Sequence, residues 1–503
     1  MSFYGVTLAQ FSVALITLCL TWRVAYNRYL HPLRHYPGPL FAAVSRIPYA
    51  KAYLQGTLHK GVAALHDQYG DVVRIAPDEL SYRGEHAWED IYSRSSNFAK
   101  DMRFYQTSGR KAPSVVIAPD GVHQRQKKAI LRAFTGLAIR DHEKVLQPYV
   151  NILVEKLQVH CKLNPDSPTD MTAWFNYVMF DFMAHELFGE ALGCLENAAY
   201  HPWVDMLFGS IKAWAILTVP KFFPSAALVV KPLVYFLSRN TLKHRDTKHK
   251  AIAAKIVKLT QRQHQNQQAI QSSPQYFMDY IQKSTSEDSK SVLLPEEILP
   301  NSSFLMMAGS ETTATLLSGA TFHLLKQRAT YEKLVPEIRI RFSSMAEISF
   351  ASVVSLPYLQ RVLQEALRMY PPLPLGMPRV VPAGGAVIDG GYVPEKTSVA
   401  VSSWSAYRSA SNFSKADTFL PERWAEGTLH GATDKKSVLQ PFSLGPRGCP
   451  GKSLAVMEAS MILAKLLWAF DIHLAPECDN WDEQRAFIIW EKGPLLVRLV
   501  PRC

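Results

Sequence analysis

Between Met1 and Trp22 the chain has no Asp, Glu, Lys or Arg, and no acidic residue appears before Asp67. There are six cysteines, Cys19, Cys161, Cys194, Cys449, Cys478 and Cys503, with no Cys-x-x-Cys pair among them. That scatter excludes a disulfide scaffold and a structural zinc site, and leaves most of them as ordinary buried thiols. Gly-x-Gly is also missing, so no Rossmann dinucleotide fingerprint is present. No internal repeat is found. What remains is a globular composition of 503 residues, 48 % apolar and 19 % charged. It excludes chain-wide disorder, collagen and a multi-span membrane protein, and the length allows two to four domains or one large one. Lys plus Arg outnumber Asp plus Glu 55 to 43, a net charge of +12. A basic balance speaks about partners, not fold: a nucleic acid, an anionic membrane surface or an acidic protein.

The uncharged N-terminus has its apolar heart at Phe11-Ser-Val-Ala-Leu-Ile-Thr-Leu-Cys-Leu20. At about 1.5 Å per residue, a helix over Met1 to Trp22 reaches about 33 Å, enough for a bilayer core of roughly 30 Å. Arg23, Arg28, Arg34, Arg46, Lys51 and Lys60 follow, and such a one-sided positive flank holds the rest of the chain on the cytoplasmic side. A cleaved signal would need positive charge before the apolar run and a small-residue cleavage site, and has neither. We therefore expect a transmembrane anchor over residues 1–24 and, with three prolines in His31 to Pro39, a stiff linker over 25–45 that separates it from a catalytic body over 46–503.

Along the body, residues 58–69 read as a helix. Asp71 to Pro77 and Glu79 to Tyr82 read as two strands around a proline turn. Helical patterns dominate 122–270 and recur at 295–328, 356–369 and 452–470, while 376–405 reads as short β structure. Pro300 is expected to kink or delay the long helix. Gln261 to Ser273 is polar, and the serine-rich Lys283 to Ser291 reads as an exposed loop. The apolar, proline-broken stretch Trp214 to Leu237 is read as a surface dipping into a membrane, with a buried loop as the alternative. The basic run Lys243 to Lys250 behind it suits anionic lipid better than nucleic acid. The fold class is mainly α with a small β part.

Chemistry concentrates in Phe442-Ser-Leu-Gly445-Pro-Arg447-Gly448-Cys449-Pro450-Gly451. It is a Gly/Pro-rich loop with one cysteine at the mouth of a helix. Glycines let backbone approach a flat ligand, and N–H groups can point at sulfur. A helix N-terminus and a nearby Arg447 favour the thiolate, the metal-binding form, and Arg447 can also pair with a carboxylate. A lone cysteine is more often a core residue. Gly451-Lys452-Ser453 mimics the end of a phosphate loop, but five residues rather than four separate Gly445 from Gly451.

The complete Phe-x-x-Gly-x-Arg-x-Cys-x-Gly pattern resembles the haem-binding loop of the cytochrome P-450 monooxygenases, and further motifs of that family follow in order. Glu365-Ala-Leu-Arg368 puts an acid and a base on one helix face. The resemblance implies that Glu365, Arg368 and Arg423 of Pro421-Glu422-Arg423-Trp424 form a buried structural cluster, tolerable only if fully paired. Ala308-Gly309-Ser310-Glu311-Thr312-Thr313 is similar to the distal oxygen-activation groove. There the glycine would lower bulk over the iron, and Thr312 would bond a carbonyl one turn back. Glu311 and Thr312 would be the catalytic proton donors. His123 and Lys127 stand where the family has a Trp-x-x-x-Arg pair near a haem propionate, and Arg379 resembles its propionate-binding arginine. Cys449 is the implied metal ligand, with Phe442, Arg447 and Gly451 in the cofactor loop. Pro450, after the ligand cysteine, departs from the branched aliphatic that is commoner there.

The resemblance implies haem b with an axial thiolate, dioxygen, and electrons from NADPH through a separate flavoprotein reductase. The expected reaction hydroxylates, epoxidises or otherwise oxidises a hydrophobic small molecule, at the endoplasmic reticulum membrane with the body cytoplasmic. The anchor, linker and motif style resemble fungal microsomal members that tailor secondary metabolites: terpenoids, polyketides or alkaloids. Alternatives are a detoxifying, sterol or fatty-acid monooxygenase, a peroxide isomerase or dehydratase of the same fold, and a non-catalytic haem-binding protein.

Overall fold

A computed structural model describes residues 2–105, 112–165, 167–224, 276–282, 293–427, 429 and 431–502, with side chains from Gln10 onward. The basic run 243–250, the polar stretches 261–273 and 283–291, and the apolar stretch beyond Pro224 lie outside the described residues.

Nine helices carry the argument: α1 (Ser2–Ala25), α2 (Leu58–Tyr69), α3 (Asp120–Leu131), α4 (Gly136–Leu163), α5 (Met171–Phe188), α6 (Pro202–Thr218), α7 (Pro295–Lys326), α8 (Pro357–Met369) and α9 (Lys452–Ala469). Several starts are capped. The Thr135 hydroxyl accepts from Ala138 N–H at 3.3 Å, and the Asp170 carboxylate accepts from Ala173 N–H at 3.3 Å. Pro300 neither delays nor ends α7, which already begins at Pro295 and carries Pro300 in its second turn. From Thr313 to Leu324, α7 is buried without interruption. A helix of apolar and small residues all round belongs in the centre of the molecule. Accordingly α5 lies against α7, where Ser310 donates to the Met179 carbonyl at 3.1 Å, and α9 reaches it through Thr313 and Glu458.

The β part is a five-stranded sheet of β1 (Val72–Ala76), β2 (Glu79–Tyr82), β3 (Ala99–Lys100), β4 (Arg379–Val380) and β5 (Ser398–Val401), in the order β1-β2-β5-β4-β3. Only the β2–β5 pair is parallel. A register shift between Arg74 and Ala76 bends β1. A three-stranded sheet joins Thr169–Asp170, Leu496–Pro501 and Phe470–Leu474. The expected β region 376–405 ends in a short helix, Ser403–Tyr407.

At the N-terminus the proline-rich segment is fastened to the body. Buried Arg74 of β1 donates to the Asn27 carbonyl at 3.1 Å, its own N–H donates to the Pro37 carbonyl at 2.7 Å, and Leu33 is fully buried. Among the described residues no helix is long and apolar enough to cross a membrane, so the expected single-pass span is not found there. What is present is the 24-residue α1, exposed at every side chain from Gln10 to Val24.

Candidate active site

The Cys449 loop is shaped by its own backbone. Gly448 N–H donates to the Gly445 carbonyl at 3.0 Å, and Cys449 N–H donates to the Phe442 carbonyl at 2.8 Å. Gly445 has φ +64°, and a Cβ there would lie 2.2 Å from the Tyr92 carbonyl oxygen, so only glycine fits. Helix α9 starts three residues after the cysteine. Cys449 opens onto a cavity of about 900 Å³ that Phe442, His123 and Lys127 also line. Although that side is open, protein surrounds the sulfur closely elsewhere. Burial pushes the thiol up, while the Gly451 N–H and then the charge of Lys127 pull it back. The cation that favours the thiolate is therefore Lys127 and not Arg447, as residue spacing had implied. Lys127 also holds the loop, donating to the carbonyls of Pro446 at 2.6 Å and Gly448 at 3.2 Å.

Arg447 reaches outward instead, to the Asp120 carboxylate at 2.6 Å and the Ala118 carbonyl at 3.0 Å. It belongs to a group of cations with little compensation. Arg379, buried, donates to the Tyr105 hydroxyl at 3.2 Å and packs over the Tyr92 ring at 5.3 Å. Lys100 lies 4.4 Å from the centre of the Tyr105 ring and bonds the Val116 carbonyl. Burial, then Arg379 and Arg447, push Lys100 down to about 6. Burial, then Arg447, Lys127 and Lys100, push His123 down to about 4. Asp120 is the only carboxylate paired within this group among the described residues, and it stands at the exposed rim. Bases whose protonated forms repel one another are in place for an anion, which would favour their charged forms. With the thiol of Cys449 beside them, the donor set fits a haem: sulfur for the iron, and Arg379, Lys100, His123 and Arg447 for the two propionates.

On α7, Phe304, Ala308 and Thr312 form a partly exposed stripe at i, i+4 and i+8 on an otherwise largely buried helix. Thr312 donates to the Ala308 carbonyl at 2.6 Å, one turn back. Gly309 has a different reason from the one its motif suggested. A Cβ there would meet Met183 of α5 at 2.7 Å, so the glycine lets two helices approach. Glu311 is fully buried and turned to an ion pair with Lys492, with Thr315 at 3.4 Å and its second carboxylate oxygen unpartnered. Glu311 and Thr312 thus have separate partners.

Behind this lies a cluster with no exposed surface. Glu365 accepts from Arg368 at 2.7 and 2.9 Å, from Arg423 at 3.1 Å, and from the Leu420 N–H and Trp424 indole, both at 2.9 Å. Arg368 also donates to the carbonyls of Tyr407, Ala416 and Thr418, and Arg423 pairs with Asp434. Four residues escaped sequence reasoning: Lys100, Asp434, Glu458 and Lys492. Glu458, buried on α9, accepts from the Thr313 hydroxyl at 2.7 Å, and burial pushes its carboxyl up to about 8. Only its place on the helix following the cysteine could have drawn attention to it.

Comparison with known proteins agrees with this geometry. The family model for cytochrome P-450 matches residues 36–498. A cytochrome P-450 monooxygenase, atr2, from Stereocaulon alpinum is 39 % identical over 99 % of this chain and 96 % of its own. The monooxygenase astJ from Aspergillus oryzae is 38 % identical over 96 % and 94 % of the two chains, and an averantin hydroxylase from Dothistroma septosporum is 37 % identical over 99 % and 93 %. The chain belongs to the cytochrome P-450 family and is a monooxygenase, an oxidoreductase whose family implies haem-thiolate iron and dioxygen.

Proposed function

We propose that this monooxygenase oxidises a hydrophobic small molecule in a tailoring step of secondary metabolism. Its electrons come from NADPH through a separate flavoprotein reductase. The observation that carries the reading is the thiol of Cys449 set beside buried cations that have one carboxylate among them. Similarity over nearly the whole chain to an averantin hydroxylase supports hydroxylation of a small molecule. Haem, when bound, supplies the oxygen-activating iron chemistry. The chain does the rest. Cys449 would be the ligand; burial pushes its thiol up, and the Gly451 N–H and Lys127 partly offset that rise. Arg379, Lys100 and Arg447 would neutralise the propionates and His123 would donate a hydrogen bond to them, with Phe442 and Gly451 shaping the loop. On the distal side the Thr312 hydroxyl, held to the Ala308 carbonyl, and the Glu311 carboxylate supply protons. Glu365, Arg368 and Arg423 keep the loop's backing rigid.

The body works at a membrane surface, the endoplasmic reticulum in our reading, with α1 as its anchor and the flanking Arg23, Arg28 and Arg34 on the cytoplasmic side. Exposed Leu40, Phe41 and Ile47 and exposed Ile216 and Leu217 support this. Their segments are joined by Phe222, whose ring lies 5.5 Å from Tyr49 and 6.1 Å from Tyr53.

The test is the carbon monoxide difference spectrum of the reduced protein beside Cys449→Ala. A red-shifted Soret band lost in the variant supports thiolate ligation. Folded, haem-containing protein without the band would overturn it. Flotation with phospholipid vesicles, full length against a chain lacking residues 1–25, tests the anchor. Equal flotation of both would assign binding to the body alone.

A further inference from the structure

The proton-donating reading of Glu311 leaves its surroundings unexplained. Lys492 is 3 % exposed and Glu311 2 %, and among the described residues no other lysine–glutamate ion pair is buried on both sides. Lys492 also donates to the Thr315 hydroxyl at 2.7 Å, one turn beyond Glu311 on the same helix. Two of its donors therefore fix it against α7. Buried charges of opposite sign persist only when each has the other, and removing one leaves the second to neutralise itself. The other carboxylate oxygen of Glu311, buried and without a partner, is the free valence of the site.

Lys492 is also tied to what surrounds it. It follows directly on the hairpin in which Arg485 pairs with Glu491 and Ala486 with Trp490. That hairpin is anchored on one side by the Trp490 indole, which donates to the Pro371 carbonyl at 2.7 Å, and by Ala486 N–H, which donates to the Gly56 carbonyl at 2.8 Å. On the other side Glu491 pairs with Lys212 of α6. Moving the hairpin moves the partner of Glu311.

We infer that Lys492 is the positioning residue of Glu311: from its place after the anchored hairpin Arg485–Glu491 it holds the carboxylate charged and turned along α7 toward Thr315. The inference rests on the reading of Glu311 as a proton donor for its consequence in turnover, but its structural half stands apart and has its own readout. The infrared spectrum of the holoenzyme at neutral pH reports a carbonyl stretch for a protonated, buried carboxyl. Against the wild type, Lys492→Met should gain one such band, Lys492→Arg should not, and Glu311→Gln/Lys492→Met should lose it again. The double variant separates Glu311 from the other buried acids, and a matching visible haem spectrum shows the variants are folded. No new band in Lys492→Met, or a Glu311 band already present in the wild type, overturns the inference.

Turnover is then read as NADPH oxidation with reductase. Glu311→Gln, which removes the carboxyl, should slow it by roughly 100-fold, and Lys492→Met, which leaves the carboxyl neutral and no longer held in place, should slow it by up to as much. The double variant should be no slower than the slower single one, because both act on one path. Slowing in both that multiplies in the double variant overturns the positioning role. If the infrared band behaves as expected while Glu311→Gln turns over normally, the positioning holds and the proton-donor reading fails.

Discussion

Two groups of buried charge, both built on arginines, follow opposite rules. Around Glu365 every charge is answered within the chain: Arg368, Arg423 and Asp434 complete the set, and backbone carbonyls take the remaining donors. Around Arg379 and Lys100 the described residues supply basic groups and aromatic faces but only one paired carboxylate, at the rim. The first group is closed and serves the fold. The second is left open, and in the function proposed above a dianionic ligand would complete it. Buried charge alone does not mark a functional site; buried charge left unbalanced does.

The comparison breaks most severely at Glu365. Glu365→Ala leaves two guanidiniums without their shared anion and should cost about 3–5 kcal/mol. Urea unfolding reads the loss, and a midpoint unchanged from wild type would contradict the closed cluster. The open group should behave in reverse. Arg379→Ala should weaken haem retention by roughly 10- to 100-fold, the worth of a charge-assisted hydrogen bond of about 1.5–3 kcal/mol. In haem-stripped protein the same change should not lower stability, since it removes a cation from among cations. Transfer of haem to apomyoglobin measures the first, thermal unfolding the second.

Next in size is a pH effect at Glu458. Its folded carboxyl titrates near 8, against an ordinary value of 4.5. Between those values the folded state binds the extra proton, so stability is present below about 4.5 and lost as pH rises through about 8. Glu458→Gln should flatten that decline in a series of melts, and an unchanged slope would place the titration elsewhere. The smallest change is Lys127→Met, which removes two bonds to loop carbonyls at about 1 kcal/mol each. It should also raise the pH at which Cys449 reacts with a thiol reagent in the haem-free protein.

The motifs legible in the sequence were those contiguous along the chain. The loop at 442–451, the pair Glu365 and Arg368, and the segment 308–313 each fit inside one turn or one helix, where spacing dictates proximity. Helix extents followed for the same reason, since the apolar period of 295–326 is local. What escaped was set by partners far along the chain. Gly309 meets Met183 and Glu311 meets Lys492, and no local pattern announces such a meeting. Lys100 was missed because a lysine on a short strand looks like a solvated edge until Arg379 and Tyr105 are placed beside it. The linker shows the same limit: its prolines keep His31 to Pro39 out of a helix, with helical turns at Tyr26–Leu30 and Leu40–Val44 on either side, but only β1 shows where it is pinned.

That pinning gives the molecule a handle rather than a tether. With Asn27, Leu33 and Pro37 clamped to β1, the chain leaves the body toward α1 at a fixed point. Under the anchoring proposed above, that exit point would set the compass bearing of the Cys449 loop. On the same proposal, a reductase held in the same plane would search across two dimensions for a face that already points one way.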